Sequence, residues 1–199
     1  MSNITICSKC VLPETAESVG FNSANECSVC DQIDFKQNAI DWSKRLQDLK
    51  NLADDHRGKK DYDCIVPFSG GKDSTFTLWY LVTQLEMKCL VVKFDHGFMR
   101  PGVQENADKA FRKLGVDVIQ FTPNWQVVRK LMFESLVRRG DFCWHCHSGI
   151  FSYPMWVSLK WDVPLLFWGE PGAEYSSFYS YDEVEEADER RFNRKANLG

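Results

Sequence analysis

Nothing in the chain runs apolar for about 18 residues, so no segment reads as a membrane-spanning helix. The opening residues, Met-Ser-Asn-Ile-Thr-Ile-Cys, have no basic start and no apolar core, which excludes a secretion signal. The expected compartment is therefore the cytoplasm. There, eight cysteines read as metal ligands, reactive thiols or buried apolar residues rather than as disulfides. Positive charge is not in excess either: Lys and Arg number 24 against 28 Asp and Glu, a formal net charge of −4. A large nucleic-acid footprint needs clustered cations, so this balance argues against one. Internal repeats and low-complexity tracts are missing, which removes repeat architectures. Two familiar nucleotide motifs are also missing. G-x-x-x-x-G-K-[ST] fails because Val66 stands five before Gly71 and Asp73 follows Lys72; G-x-G-x-x-G fails because Gly70 and Gly71 are adjacent.

What remains is an ordinary globular composition, 44% hydrophobic and 26% charged over 199 residues. That length suits one domain with a small appendage, and buries roughly 70% of the unfolded surface. Residues 1–35 carry four of the eight cysteines and little apolar periodicity, and read as a metal ribbon. Residues 36–60 read as a linking helix: over 38–57, Ile40, Leu46, Leu49 and Leu52 fall near one stripe that stops at Gly58. From 61 to 199 strands alternate with helices. Strands are expected at 62–68, 88–95, 117–123 and 163–170, with helices from Ser74 to about Met87, from Pro101 to Gly115, over 124–140 and over 147–161. This pattern predicts an α/β fold, a doubly wound parallel sheet covered on both faces, with a small N-terminal zinc ribbon.

In such sheets ligands bind beyond the carboxyl ends of the strands. There, between the first strand and its helix, stands "VPFSGGKDST" (66–75). Two glycines let backbone approach an anion, a helix N-terminus supplies N–H groups and a positive dipole end, and Lys72 adds a point charge. The stretch resembles the S-G-G-x-D-S pyrophosphate loop of the ATP-pyrophosphatase (PP-loop) superfamily. That resemblance implies that Ser69, Gly70, Gly71, Lys72, Asp73 and Ser74 hold pyrophosphate, with Asp73 contacting Mg²⁺. Asp95, in Phe94-Asp95-His96-Gly97 at the second strand's end, is expected beside the adenosine; a plain polar turn is the alternative.

Cys7-x-x-Cys10 and Cys27-x-x-Cys30, sixteen residues apart, have the spacing of a four-thiolate zinc ribbon, a structural site with no open coordination position. An iron site of rubredoxin type is the alternative. The acidic residues Glu14, Glu17, Glu26, Asp31 and Asp34 around it point to a fold staple or a protein-docking surface. In "DFCWHCHSGIF" (141–151), Cys143, His145, Cys146 and His147 are four ligand-capable residues just before an expected helix N-terminus, which lowers thiol pKa. A second metal site, a thiol pair shaping a substrate pocket and a structural turn remain open. Some tRNA thiolases of the superfamily carry an iron–sulfur cluster on such a pair plus a later cysteine; no cysteine follows Cys146 here. Glu170, after the fourth strand, is expected to orient an amine or bind Mg²⁺, or else to be a solvated loop residue.

Taken together, "CSKCVLPET", "CSVC", "PFSGGKDST", "CWHCHSGI" and "WGEPGAEY" resemble the N-acetyl sugar amidotransferases of bacterial surface-polysaccharide (lipopolysaccharide, O-antigen) biosynthesis. The resemblance covers nearly the whole chain. It implies ATP-dependent conversion of an acetamido group on a sugar, often nucleotide-linked, into an acetamidino group, through an O-adenylylated imidate, with AMP and pyrophosphate released. Lys72, Asp73, Glu170, Cys143 and Cys146 are then the catalytic candidates, with ATP, Mg²⁺ and structural Zn²⁺ as cofactors. Residue 2 is Ser and no G-x-C-x-G turn occurs, so a separate glutaminase is the implied ammonia source. Family members are longer, which implies a C-terminally truncated chain here; residues 182–195, acidic then basic, read as one more helix. The rival readings are a tRNA-thiolating enzyme and a non-catalytic nucleotide-binding subunit.

Overall fold

The computed structural model describes residues 4–16 and 19–169. The chain divides after Asp48 into two compact units. In the first, short antiparallel bridges, Ile6 with Pro13 and Phe21 with Cys27, hold two cysteine-bearing turns. Helix α1 (Ser28–Asn38) follows at once, with Cys27 at its N-cap position. Its sequence buries only Cys30, so no apolar stripe announces it, and the periodic reading missed it. Helix α2 (Trp42–His56) begins afresh because the Asp41 carboxylate accepts the Lys44 N–H, a side-chain cap that stops α1 from running on. The single linking helix expected over 38–57 is therefore the end of one helix, a cap and a second helix.

The second unit is an α/β layer structure. Strands β1 (Cys64–Pro67), β2 (Cys89–Phe94) and β3 (Asp117–Phe121) are parallel in the order β1-β2-β3, with Ile65 opposite Leu90 and Val92 opposite Ile119. Helices α3 (Lys72–Thr83), α4 (Pro101–Leu114), α5 (Trp125–Arg139) and α6 (Trp144–Trp161) complete it. β1 and β2 are nearly continuous apolar runs because both faces are covered. On one face Cys64, Val66, Cys89 and Val91 pack with Leu78 and Leu81 of α3, Ala107 and Phe111 of α4 and Ala53 of α2. On the other, Ile65, Leu90 and Val92 pack with Val157 of α6 and Val163.

The expected fourth strand survives only as an isolated parallel bridge. Ile65 donates its N–H to Leu165 O at 2.8 Å and accepts from Phe167 N at 2.9 Å. Its N–H and C=O both point that way, so residues 165–167 flank β1 on the edge that β2 leaves free. Successive strands step outward from β1 to β3, and the chain then returns to the far side of β1. The doubly wound reading thus holds, and the sheet reverses direction of growth beside β1.

Helix ends follow local chemistry. Pro101 opens α4 and Gly115 closes it in the left-handed region, while Asn124 caps α5 by accepting the Gln126 N–H. The approach to β1 is fixed by Asp63, which is buried: its carboxylate accepts N–H groups from Gly58 at 2.6 Å and Lys88 at 2.7 Å. Asp63→Ala removes a buried carboxylate that accepts two backbone N–H groups, and is expected to lower stability by about 2 kcal/mol in denaturant unfolding. A loss below about 0.5 kcal/mol would show that water replaces the carboxylate without cost.

Candidate nucleotide site and metal ribbon

The loop after β1 sits where the sheet changes direction. Phe68 still donates to Val92 O at 3.0 Å, and the chain then breaks away at Ser69. Gly70 adopts φ +84°, and a Cβ there would stand 2.7 Å from Val103 Cγ1 of α4, so both conformation and space call for glycine. Gly71 is the N-cap of α3 and supplies no side-chain cap, which leaves the helix mouth to an outside acceptor. The hydroxyls close the loop: Ser69 Oγ lies 3.2 Å from Ser74 Oγ and accepts the Gly71 N–H at 3.3 Å, while Thr75 Oγ1 donates to Gly71 O at 2.8 Å. Lys72 Nζ bonds both carboxylate oxygens of Asp73 at 2.7 Å, an exposed pair of small energetic value.

The segment after the fourth-strand bridge comes against the same helix end. A Cβ on Gly169 would lie 2.7 Å from Ser74 N and 2.9 Å from Ser74 Cα. The loop and Gly169 therefore meet at the switch point, the usual ligand crevice of such sheets. Glu170 lies outside the described residues, as does the helix expected over 182–195.

Asp95 has a local task. Its Oδ1 accepts the Gly97 N–H at 2.9 Å and its Oδ2 the Thr122 hydroxyl at 3.2 Å, tying the turn after β2 to the end of β3. His96 Nδ1 accepts the Phe98 N–H at 3.1 Å, and burial lowers its pKa against the opposing pull of Asp95.

Helix α6 starts three residues earlier than expected, which places His145, Cys146 and His147 in its first turn with Cys143 at the cap. The helix terminus does not lower the Cys146 thiol. Burial, reinforced by Cys143 and Asp141, pushes it up to about 11, so it is a protonated thiol at neutral pH. Among the described residues the only grouping of three or more Cys, His, Asp or Glu side chains suited to a metal is the first quartet.

That quartet is assembled: the ligand atoms of Cys7, Cys10, Cys27 and Cys30 all lie within 4.8 Å of one another. Cys7 and Cys30 sulfurs are 3.9 Å apart, those of Cys10 and Cys27 3.5 Å. A tetrahedral site with Zn–S bonds of about 2.3 Å separates its sulfurs by about 3.8 Å, so these cysteines fit zinc. Sequence carries the reason: Val11 and Asn25 take positive φ to turn the knuckles, and Cys7 Sγ accepts N–H groups of Cys27 at 3.2 Å and Lys9 at 3.4 Å. Burial pushes the Cys7 thiol up, but the N–H groups of Cys27, Lys9 and Cys10 outweigh it and bring it to about 6. Burial and the neighbouring thiols push Cys30 up. A cation that takes four thiolates removes this inequality by displacing the protons.

Comparison with known proteins agrees on the fold. No protein-family model matches the chain. It is 27% identical over 137 residues to an uncharacterized protein of Methanocaldococcus jannaschii, covering 68% of this chain and 47% of that one. It is 33% identical over 90 residues to a GMP synthase (glutamine-hydrolyzing) of Pyrobaculum aerophilum, covering 45% of this chain and 18% of that one. The chain thus spans less than half the length of these curated relatives. Among solved structures, an NH3-dependent NAD synthetase from Campylobacter jejuni superposes with a TM-score of 0.52 at 12% identity, over 80% of this chain and 73% of that one. The fold is an α/β fold like that of this NAD synthetase. No helix among the described residues is long and apolar enough to cross a membrane.

Proposed function

We propose that the protein is an ATP-dependent amidotransferase that turns a sugar acetamido group into an acetamidino group, with ammonia supplied by a separate glutaminase. The observation that carries the ATP half is the mouth of α3 at the switch point, capped by Gly71 without a side chain and approached closely by the backbone of Gly70 and Gly169. Support for the sugar half comes from the joint resemblance of "CSKCVLPET", "PFSGGKDST", "CWHCHSGI" and "WGEPGAEY" to the sugar amidotransferases. In this reading the loop N–H groups and Lys72 take the β,γ-pyrophosphate, a charge-assisted grip that strengthens as the leaving group gains charge. Asp73 is the residue that would hold Mg²⁺, which would supply neutralisation of the charge on the departing pyrophosphate. The acetamido oxygen attacks the α-phosphorus, and the O–P bond forms as the bond to pyrophosphate breaks. Ammonia then adds to the activated carbon and AMP leaves.

The test is AMP release from ATP with Mg²⁺ and ammonium, comparing an acetamido nucleotide sugar with bulk tRNA plus a sulfur donor. AMP that depends on the sugar is the expected result. AMP that appears only with tRNA would replace this reading by thiolation. No AMP with either, from protein that binds ATP, would leave a nucleotide-binding subunit.

A further inference from the structure

Strand β2 carries a buried lysine near its carboxyl end. Lys93 is 3% exposed, in a strand whose other residues are Cys, Leu, Val and Phe. It falls on the same face as Cys89 and Val91, the face that packs against α3 and α4. Burial lowers its pKa, against the opposing pull of Asp108 and Asp95. The Lys93 ammonium donates to Gln104 Oε1 at 2.7 Å, in the first turn of α4. The Gln104 amide in turn donates to Asp108 Oδ1 at 2.7 Å, one turn further along the same helix.

This link runs beside the loop after β1 at two points. At the start of the loop, Phe68 donates its N–H to the carbonyl of Val92, the residue before Lys93. The Phe68 ring meets the Phe111 ring edge-on at 4.8 Å between centroids, and the Lys93 ammonium lies 5.9 Å from the centroid of that same Phe111 ring. Further on, Gly70 faces Val103, the residue before Gln104: a Cβ on Gly70 would lie 2.7 Å from Val103 Cγ1. Lys93 therefore ties to β2 the very turn of α4 against which Gly70 rests.

Stability alone does not account for a lysine here. Replacing a buried charge by an apolar side chain of similar volume is often neutral or stabilising. What an apolar contact lacks is direction, whereas a hydrogen bond is angular and fixes how a helix is turned. We propose that Lys93 is a positioning residue for the loop after β1: through Gln104 it fixes the first turn of α4, and through Val103 that turn sets the backbone of Gly70 toward the phosphates. The assignment rests on the ATP half of the function proposed above. Lys93 acts through α4, without touching the nucleotide.

The experiment reads nucleotide affinity and stability side by side. Lys93→Met keeps the length and apolar stem and removes the ammonium; Gln104→Leu removes the acceptor; the double variant removes both. In denaturant unfolding Lys93→Met should be at least as stable as wild type, and Gln104→Leu less stable, because it leaves the ammonium buried without its acceptor. In calorimetric titration both single variants should nonetheless bind Mg-ATP about 10-fold or more weakly, since a site held out of place loses affinity whatever the cause. The double variant should lose about the same factor as either single one, not their product, because the two residues form one link. AMP, which has no β- or γ-phosphate, should bind each variant within about twofold of wild type. Wild-type Mg-ATP affinity in Lys93→Met, or losses that multiply in the double variant, would overturn the assignment. Wild-type protein that does not bind Mg-ATP would overturn the nucleotide reading, and the assignment with it.

Discussion

Gly169→Ala is expected to weaken ATP binding by about 100-fold or more while the protein stays folded. The methyl group would meet Ser74 N at 2.7 Å, Ser74 Cα at 2.9 Å and Asp73 C at 3.0 Å. All three are backbone atoms, so no rotamer change relieves the contact, and the first turn of α3 has to retreat. The residues displaced are those whose N–H groups would face the phosphates, and misplacement of about 1 Å in a positioned site costs on the order of 100-fold. Gly102→Ala is the matched control: nothing lies within 4 Å of its Cβ position, so binding should not change. Calorimetric titration with Mg-ATP, alongside thermal unfolding, checks both variants. Wild-type affinity in a folded Gly169→Ala protein would show that the mouth of α3 does not hold the nucleotide.

Removing the ribbon's metal is expected to have the largest effect on stability. Cys27 has no exposed surface, and the small cluster around it consists of Cys7, Cys27 and Cys30 with Leu12, Val19, Phe21 and Val29. So little apolar surface does not fold a segment of this length alone. Binding of structural zinc to such quartets amounts to about 10–16 kcal/mol, and that energy is folding energy. Wild-type protein should carry one zinc per chain, and Cys27→Ser none. Chelation should expose the amides of α1 to hydrogen exchange while those of β1 and β2 stay protected. A ribbon whose α1 amides remain protected after complete metal removal would contradict this.

Where residues act through their own backbone, the sequence is a direct guide. Pro101, Gly115, Asn124 and Gly140 mark helix ends where they are found, because the requirement at each is local. The two C-x-x-C pairs are equally direct, since metal spacing is a chain-geometry constraint. Elements held by distant partners are harder to read. α1 exists because Cys27 and Cys30 have to reach a common centre, and periodicity does not register that demand. "VPLLFWGE" is apolar enough for a strand, yet only 165–167 reach β1. At 143–147 the residue types signal ligand chemistry, but the sequence does not show which are buried. Gly149 and Phe94, far apart in the chain, meet to seat α6 on the end of β2, and burial raises the Cys146 thiol.

Pro154 lies inside α6 and is buried. Having no N–H, it gives nothing to the carbonyl four residues back, that of Ile150, and so interrupts the ladder between two halves of one helix. The leading half sets Gly149 against Phe94 at the end of β2 and His145 beside the turn that follows; the trailing half buries Val157 against the sheet. Substitutions in the leading half can therefore be accommodated at little expense to the trailing half's grip on the core. Such a division lets a lineage vary one end of a single helix by a few replacements, while the scaffold beneath it is inherited intact.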